Sequence, residues 1–229
     1  MKMKRAMGIL FCFAMLVTQA GAQSIWNGAP GQERLWADAG NWLDAHVGGN
    51  GEAVSITNGG FAVLTNSVNL SNLTPTHGGL VITNGATLAL PAATTVLMGN
   101  GAGKQFTFTL EEGRFSLPGI ANSYLYLGVN GGQANVMLGG DGAPAVLDVD
   151  RDVVVGNGSG TIGRMTVGNG GAAYCSNGYF YVANSVGSDG QLDVNGGGQV
   201  GFRTGDRAFV VSANGGRGVV NVNGGTIDA

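Results

Sequence analysis

Cysteine, charge and helix-forming runs are all scarce in this chain, and each shortage removes a class of protein. The two cysteines are Cys12 and Cys175, and Cys12 falls in an N-terminal leader, so no intramolecular disulfide can staple the rest. Left alone, Cys175 reads as a small buried apolar residue rather than a reactive thiol. Charged residues make up only 11% of the chain, and runs of Glu, Lys, Leu and Ala are missing, which excludes a helical protein. What is abundant is glycine, at 44 of 229 positions, against about 7% in an average globular chain. Hydrophobic residues still reach 44%, many of them Val, Leu and Ile, so the glycine marks neither a disordered linker nor a collagen with its three-residue period. An all-β chain with very many turns remains.

The segment 1–22 carries Lys2, Lys4 and Arg5, then an apolar run from Met7 to Val17, then Ala20-Gly21-Ala22. This is the pattern of a secretory signal peptide with a small-x-small cleavage site, and the mature chain is expected to start near Gln23. The apolar run is too short for a stable membrane anchor, and no transmembrane segment is expected after it. Bulky Leu10-Phe11 before Cys12 argue against a lipoprotein. Removing the leader takes three of the eleven basic residues and none of the fourteen acidic ones, leaving 8 − 14 = −6. The remaining basic residues are scattered, so nucleic acid is not an expected partner.

Repeats replace the missing disulfides. GRMTVGNGG, GQLDVNGGGQV and GVVNVNGG open at Gly163, Gly190 and Gly218, with spacings of 27 and 28. Apolar pairs at alternate positions form a first ladder: Leu88/Leu90, Phe108/Leu110, Val136/Leu138, Met165/Val167, Leu192/Val194 and Val220/Val222. Between its rungs lies a second: Val96/Met98, Leu125/Leu127, Val153/Val155, Phe180/Val182 and Ala208/Val210. Ala173/Cys175 and Val200/Phe202 represent a weaker third set, and SITNGGFAVL from Ser55 recurs as VITNGATLAL from Val81, an offset of 26. From the second ladder to the next first-ladder pair the step is always 11 or 12, whereas the return takes 15 to 17 and once only 8, from Leu90 to Met98. One corner is tightly fixed, and the opposite side is expected to tolerate insertion and deletion.

Period-2 pairs exclude a helical repeat, and twelve Asn-Gly dipeptides, from Asn27-Gly28 to Asn223-Gly224, mark chain reversals. An antiparallel propeller is the structural competitor, but its blades need about 40 to 50 residues and a recurrent aromatic signature. A parallel β-solenoid uses short strands better, because each pairs with its equivalents one coil away. The expectation is an all-β, right-handed parallel β-helix of about six to seven coils of roughly 27 residues. It spans residues 51–229 and follows a Trp-rich capping segment over 23–50.

The pattern G-x-[LMV]-x-V-x-x-G-G, a β segment, then V-G-N or V-A-N resembles the repeat of autotransporter (type V secretion) passengers and of exported proteins with PEP-CTERM sorting tails. GRMTVGNGG, YVANS and GQLDVNGGGQV carry it over about Ala134 to Ala229, and Leu88 to Gln133 follow it loosely. SIWNGAPGQERLWADAGNW, through Trp26, Gly28, Trp36, Asn41 and Trp42, resembles the W-x-G … W-x(4)-N-W opening of such arrays. The resemblance implies the right-handed β-helix and export by a Gram-negative-type bacterium, and it implies no catalytic residue, cofactor or metal.

Right-handed β-helices include polysaccharide lyases and hydrolases, whose sites gather carboxylates, often with calcium, and a basic residue. The local candidates are Asp148, Asp150, Arg151 and Asp152 in VLDVDRDVVV, with Asp193 and Asp206/Arg207 further along. In a strand, Leu147, Val149 and Val153 would face inward and the aspartates outward, leaving Arg151 on the wrong face unless a turn intervenes; a solvated outer face or turn is the expected reading. His46 and His77 have no second ligand at metal spacing. GGDGAPAVLD near Gly139 is similar to a calcium nonapeptide but lacks the aspartate at its sixth position and does not recur. Trp26, Trp36 and Trp42 could stack on sugars, but a first coil needs an apolar cover, and capping is the favoured role.

These residues lead to an exported structural or adhesin-like solenoid at the cell surface or in the extracellular space, without catalysis, cofactor or metal. The alternative is a carbohydrate-active β-helix, lyase-like or polysaccharide-binding. The partners expected are surface or extracellular polysaccharide or other surface proteins. The array stops in mid-unit at GVVNVNGGTIDA, which leads to the expectation that the natural protein continues past Ala229 into a barrel, a sorting tail or another domain.

Overall fold

The computed structural model describes residues 23–43, 45–118, 122–204 and 207–229. The expected leader with Cys12, and Asp206, lie outside the described residues. Among the described residues there is no α-helix, and every strand-to-strand pairing is parallel. Nor is any helix there long and apolar enough to cross a membrane.

The chain winds as a β-solenoid of about seven turns with a repeat of about 28 residues. Each full turn lays one short strand on each of three faces. Gln105–Leu110 lies on the first face, Gly113–Leu117 on the second and Tyr124–Val129 on the third; Gln133–Leu138 then returns to pair with Gln105–Leu110. The first face is an eight-stranded sheet running from Glu33–Leu35 to Arg217–Asn223, and the second is a seven-stranded sheet from Val68–Asn69 to Thr226–Asp228. The third begins as Gln23–Ile25, Ala53–Ile56 and Asn72–Pro75, and continues as a five-stranded sheet from Thr95–Asn100 to Phe209–Val211. Residues 23–50 therefore supply two strands that pair with the coil above them.

Alternation decides which side chains enter the core. On Gln133–Leu138 the residues Ala134, Val136 and Leu138 are buried while Asn135 and Met137 are exposed, as a strand with one face on the core requires. The first ladder reads Leu80, Phe108, Val136, Met165, Leu192 and Val220 in register. With Ala62/Leu64 lower still, the rung directly below Phe108/Leu110 is thus Leu80/Ile82. Leu88/Leu90, expected there from the sequence, belong to the second face, where Leu88 pairs with Phe115 and Phe115 with Leu147. Two closely spaced apolar pairs straddle one corner, and period alone cannot say which face each joins. The anomalously short return from Leu90 to Met98 disappears with this correction. The repeat of SITNGGFAVL as VITNGATLAL also fails to stack, because Ser55 pairs with Thr74 and Ala62 with Leu80, which makes this coil much shorter than those that follow. The last rung of the second ladder is Phe209/Val211, one residue beyond the expected Ala208/Val210, and the Phe180 and Phe209 rings stack at 5.4 Å.

The tightly fixed corner lies between the third and first faces, and its backbone explains the constancy. Gly99, Gly128, Gly156, Ala183 and Ser212 occupy equivalent places and all have left-handed φ, between 63° and 86°. The glycine that opens each repeat does a different task on the next strand. A Cβ at Gly190 would stand 2.2 Å from the Val155 carbonyl oxygen, and one at Gly218 2.5 Å from that of Val182. Those positions are small because the coil below passes too close for a side chain.

Candidate functional site

The turn that would rescue Arg151 does intervene. Ala145–Val149 ends on the second face, residues 150–152 form a corner, and Val153–Asn157 begins on the third. Leu147, Val149 and Val153 are fully buried, as alternation predicts. The three aspartates take different partners. Asp148 points out from the second face, where it accepts from Arg114 Nη2 at 2.5 Å and pairs with Arg203 Nε at 3.3 Å. Asp150 accepts from Asn177 Nδ2 at 2.6 Å, and Asp152 accepts from the Tyr179 backbone N–H at 2.8 Å. Each carboxylate thus ties its coil to a neighbouring one.

Arg114, Arg203 and Tyr174 are the partners that sequence reasoning missed. Arg114 lies on the coil before Asp148, Tyr174 pairs with it in register on the coil after, and Arg203 reaches back from two coils on. The Arg203 guanidinium lies 4.3 Å over the Tyr174 ring, and Tyr174 donates its hydroxyl to Gln199 Oε1 at 2.9 Å. Lining up Phe115, Leu147, Ala173 and Val200 as one ladder would have revealed the cluster, because the residues beside them are then neighbours. An open groove of about 570 Å³ runs beside it, between Arg114, Glu112, Pro144, Val146 and Arg203. Both arginines beside this groove are already paired with Asp148.

The other sequence candidates are dispersed. Asp193 lies on the first face, accepting from Gln191 Nε2 at 2.8 Å and Asn221 Nδ2 at 2.7 Å. Arg207 is exposed at the edge of the third face. His77 joins two coils through its Nδ1, which accepts from the Gln105 backbone N–H at 3.2 Å. His46 stands 2.6 Å from Glu52 Oε1, while Glu52 Oε2 accepts from Gly49 N at 2.9 Å and Ser24 Oγ at 3.2 Å. The His46 hydrogen bond foremost, then the Gly49 N–H, holds the Glu52 carboxyl below the usual carboxylate range. Asp141 is exposed in the insertion around GGDGAP, and among the described residues no three His, Cys, Asp or Glu side chains are grouped to hold a metal.

The tryptophans pack on one another. Trp26 and Trp42 meet edge-on at 5.2 Å, Trp36 and Trp42 at 4.9 Å, and Trp36 Nε1 donates to the Gly48 carbonyl at 2.7 Å. All three are buried at the first coils, which leaves no ring face for a sugar.

A different aromatic arrangement lies on the outside of the third face. In register there, Leu97, Tyr126, Val154, Tyr181 and Val210 form one outward column. Tyr124 stands 6.1 Å from Tyr126, and Tyr179 5.6 Å from Tyr181, so two tyrosine pairs sit two coils apart. Between them Val154 points outward yet is only 1% exposed, closed over by its register neighbours. Burial, and then the nearby Asp152 carboxylate, raise the phenol pKa of Tyr126 and of Tyr181, so both hydroxyls stay protonated at neutral pH.

No family model, no curated protein and no solved structure matches the chain.

Proposed function

We propose that this chain is an exported, non-catalytic β-solenoid, an adhesin-like or rod-forming segment at the outer surface of a Gram-negative-type bacterium or outside the cell. The kinship intended is with autotransporter passengers and PEP-CTERM-sorted repeat proteins. The observation that carries the reading is the use made of the carboxylates. Asp148, Asp150, Asp152 and Asp193 each accept hydrogen bonds from a neighbouring coil. General acid–base cleavage of a glycan needs two carboxyls free to face one bond across a few ångströms, and these carboxylates are instead engaged by donors of the adjoining coils.

The test has two parts. Protease treatment of intact cells producing the full chain should remove it from the surface fraction, and retention in the cytoplasm would overturn the export. Purified protein incubated with pectins, alginates and glycosaminoglycans, with and without calcium, should release no sugar. Unsaturated or reducing ends that disappear in Asp148→Ala would instead establish a lyase or hydrolase.

A further inference from the structure

Covering Val154 accounts for the sides of Tyr126 and Tyr181 that face it, but not for Tyr124 and the exposed Tyr179 beside them on the third face. Outward positions on the first face at the same level are Thr107, Asn135, Arg164 and Gln191, polar on four successive coils before Val219 ends the column. On the third face the same level carries Leu97, Tyr126, Val154, Tyr181 and Val210, and Tyr179 beside them is 40% exposed. We propose that this tyrosine stripe binds a single extended chain of an uncharged, β-linked polysaccharide lying along the solenoid axis.

Size selects the kind of occupant. Five coils stacked about 4.8 Å apart make a stripe roughly 20 Å long, and two outward positions per strand make it about 10 Å wide. A footprint on the order of 200 Å² is well below the roughly 800 Å² per partner that a stable protein interface buries. One sugar chain is that wide. Spacing selects the conformation, because Tyr126 and Tyr181 lie two coils, or about 9.6 Å, apart. An extended β-linked chain turns each sugar over relative to the last, so the same face recurs every second residue at close to that interval. Chemistry selects the class. Tyrosine rings offer flat apolar surface to the C–H faces of sugars, and their protonated hydroxyls, with Asp152, offer hydrogen bonds to the equatorial hydroxyls. Asp152, between the tyrosine pairs, disfavours an anionic chain there, while Arg207 lies at the far edge of the face, beyond both pairs.

This deepens the proposed function by naming the class of ligand, and its failure would leave the non-catalytic rod standing, since protease accessibility and sugar release test that separately. The experiment is affinity electrophoresis of the purified full chain in gels containing glucomannan, xylan or mixed-linkage β-glucan, with alginate and amylose as the charged and coiled controls. At least one neutral extended glycan should retard the protein, and alginate should not. Tyr126→Ala and Tyr181→Ala should each weaken retardation roughly tenfold, Tyr126→Phe and Tyr181→Phe should keep most of it, and Thr107→Ala on the first face should change nothing. Circular dichroism of every variant checks that the solenoid is intact. Retardation by none of the neutral glycans, retardation by alginate alone, or binding indifferent to both alanine substitutions would overturn the proposal. So would a dimer in sedimentation that the tyrosine substitutions dissolve, because the stripe would then be a contact between copies.

Discussion

Gly128 and Gly103 have nearly the same left-handed backbone, φ 73° and φ 72°, yet they stand in opposite surroundings. A Cβ on Gly103 meets nothing within 4 Å, whereas one on Gly128 would lie 2.4 Å from the Ile162 carbonyl oxygen. Gly103→Ala therefore costs only backbone strain, about 1 kcal/mol. Gly128→Ala must also push a sheet strand of the next coil aside and should cost roughly 3 kcal/mol or more. Urea midpoints of the two variants measure the difference, and equal midpoints would mean that coils at this corner are looser than their geometry. Cys175 makes a second test at single-residue scale. Burial pushes its thiol up to about 12, so almost no thiolate exists at pH 8, and its Sγ–H donates to the Tyr179 carbonyl at 3.6 Å. Iodoacetamide at pH 8 should leave Cys175 of the folded protein unmodified and label it after denaturation; mass spectrometry showing rapid labelling of folded protein would contradict this burial.

Within one strand the same logic alternates residue by residue. Val136 is 1% exposed and Met137 is 50% exposed, although they are neighbours on Gln133–Leu138. Val136→Lys buries an unpaired charge among Phe108, Leu138 and Met165 and should unfold the local coils, a cost of several kcal/mol. Met137→Lys should be close to neutral, and thermal melts of the two variants decide; similar losses would show that the first face is not half-solvated. This alternation is the part of the fold that the sequence displays most openly, because a solenoid repeats it at every turn and lines up pairs such as Val136/Leu138 and Met165/Val167. Assignment of a pair to a face is less open. Leu80/Ile82 and Leu88/Leu90 both alternate, and only hydrogen-bond register with Phe108 and Phe115 distinguishes them. The candidate site was legible as residues but not as an arrangement: Asp148 stood out in VLDVDRDVVV, while Arg114 and Arg203 come from strands far away in sequence. The tyrosine stripe was within reach of the sequence, since the second ladder already sets Val153 beside Leu125 and Phe180 and so makes Tyr126, Val154 and Tyr181 neighbours; the inward rungs alone pass over the residues between them.

Across the whole molecule, strand pairing joins each coil only to the coils above and below it, with a long side chain such as Arg203 reaching one coil further, so stability accumulates along one axis instead of around one centre. No single coil can bury enough apolar surface to stand alone, so inter-coil hydrogen bonds and stacked side chains stabilise the array, and damage in one coil should weaken its neighbours more than distant coils. The distribution of tryptophan makes this measurable. Trp26, Trp36 and Trp42 all lie in the first coils, so indole fluorescence reports that end of the rod, whereas far-UV circular dichroism reports all of it. Leu192 is fully buried on the first face far from them, between Met165 and Val220 in register. Leu192→Ala should cost about 2–5 kcal/mol locally, moving the early part of the dichroism transition in urea to lower concentration while the tryptophan transition stays where it is in the unsubstituted protein. Two transitions displaced together by the same amount would show that the coils unfold as a single cooperative unit, and the nearest-neighbour account of this solenoid's stability would then be wrong.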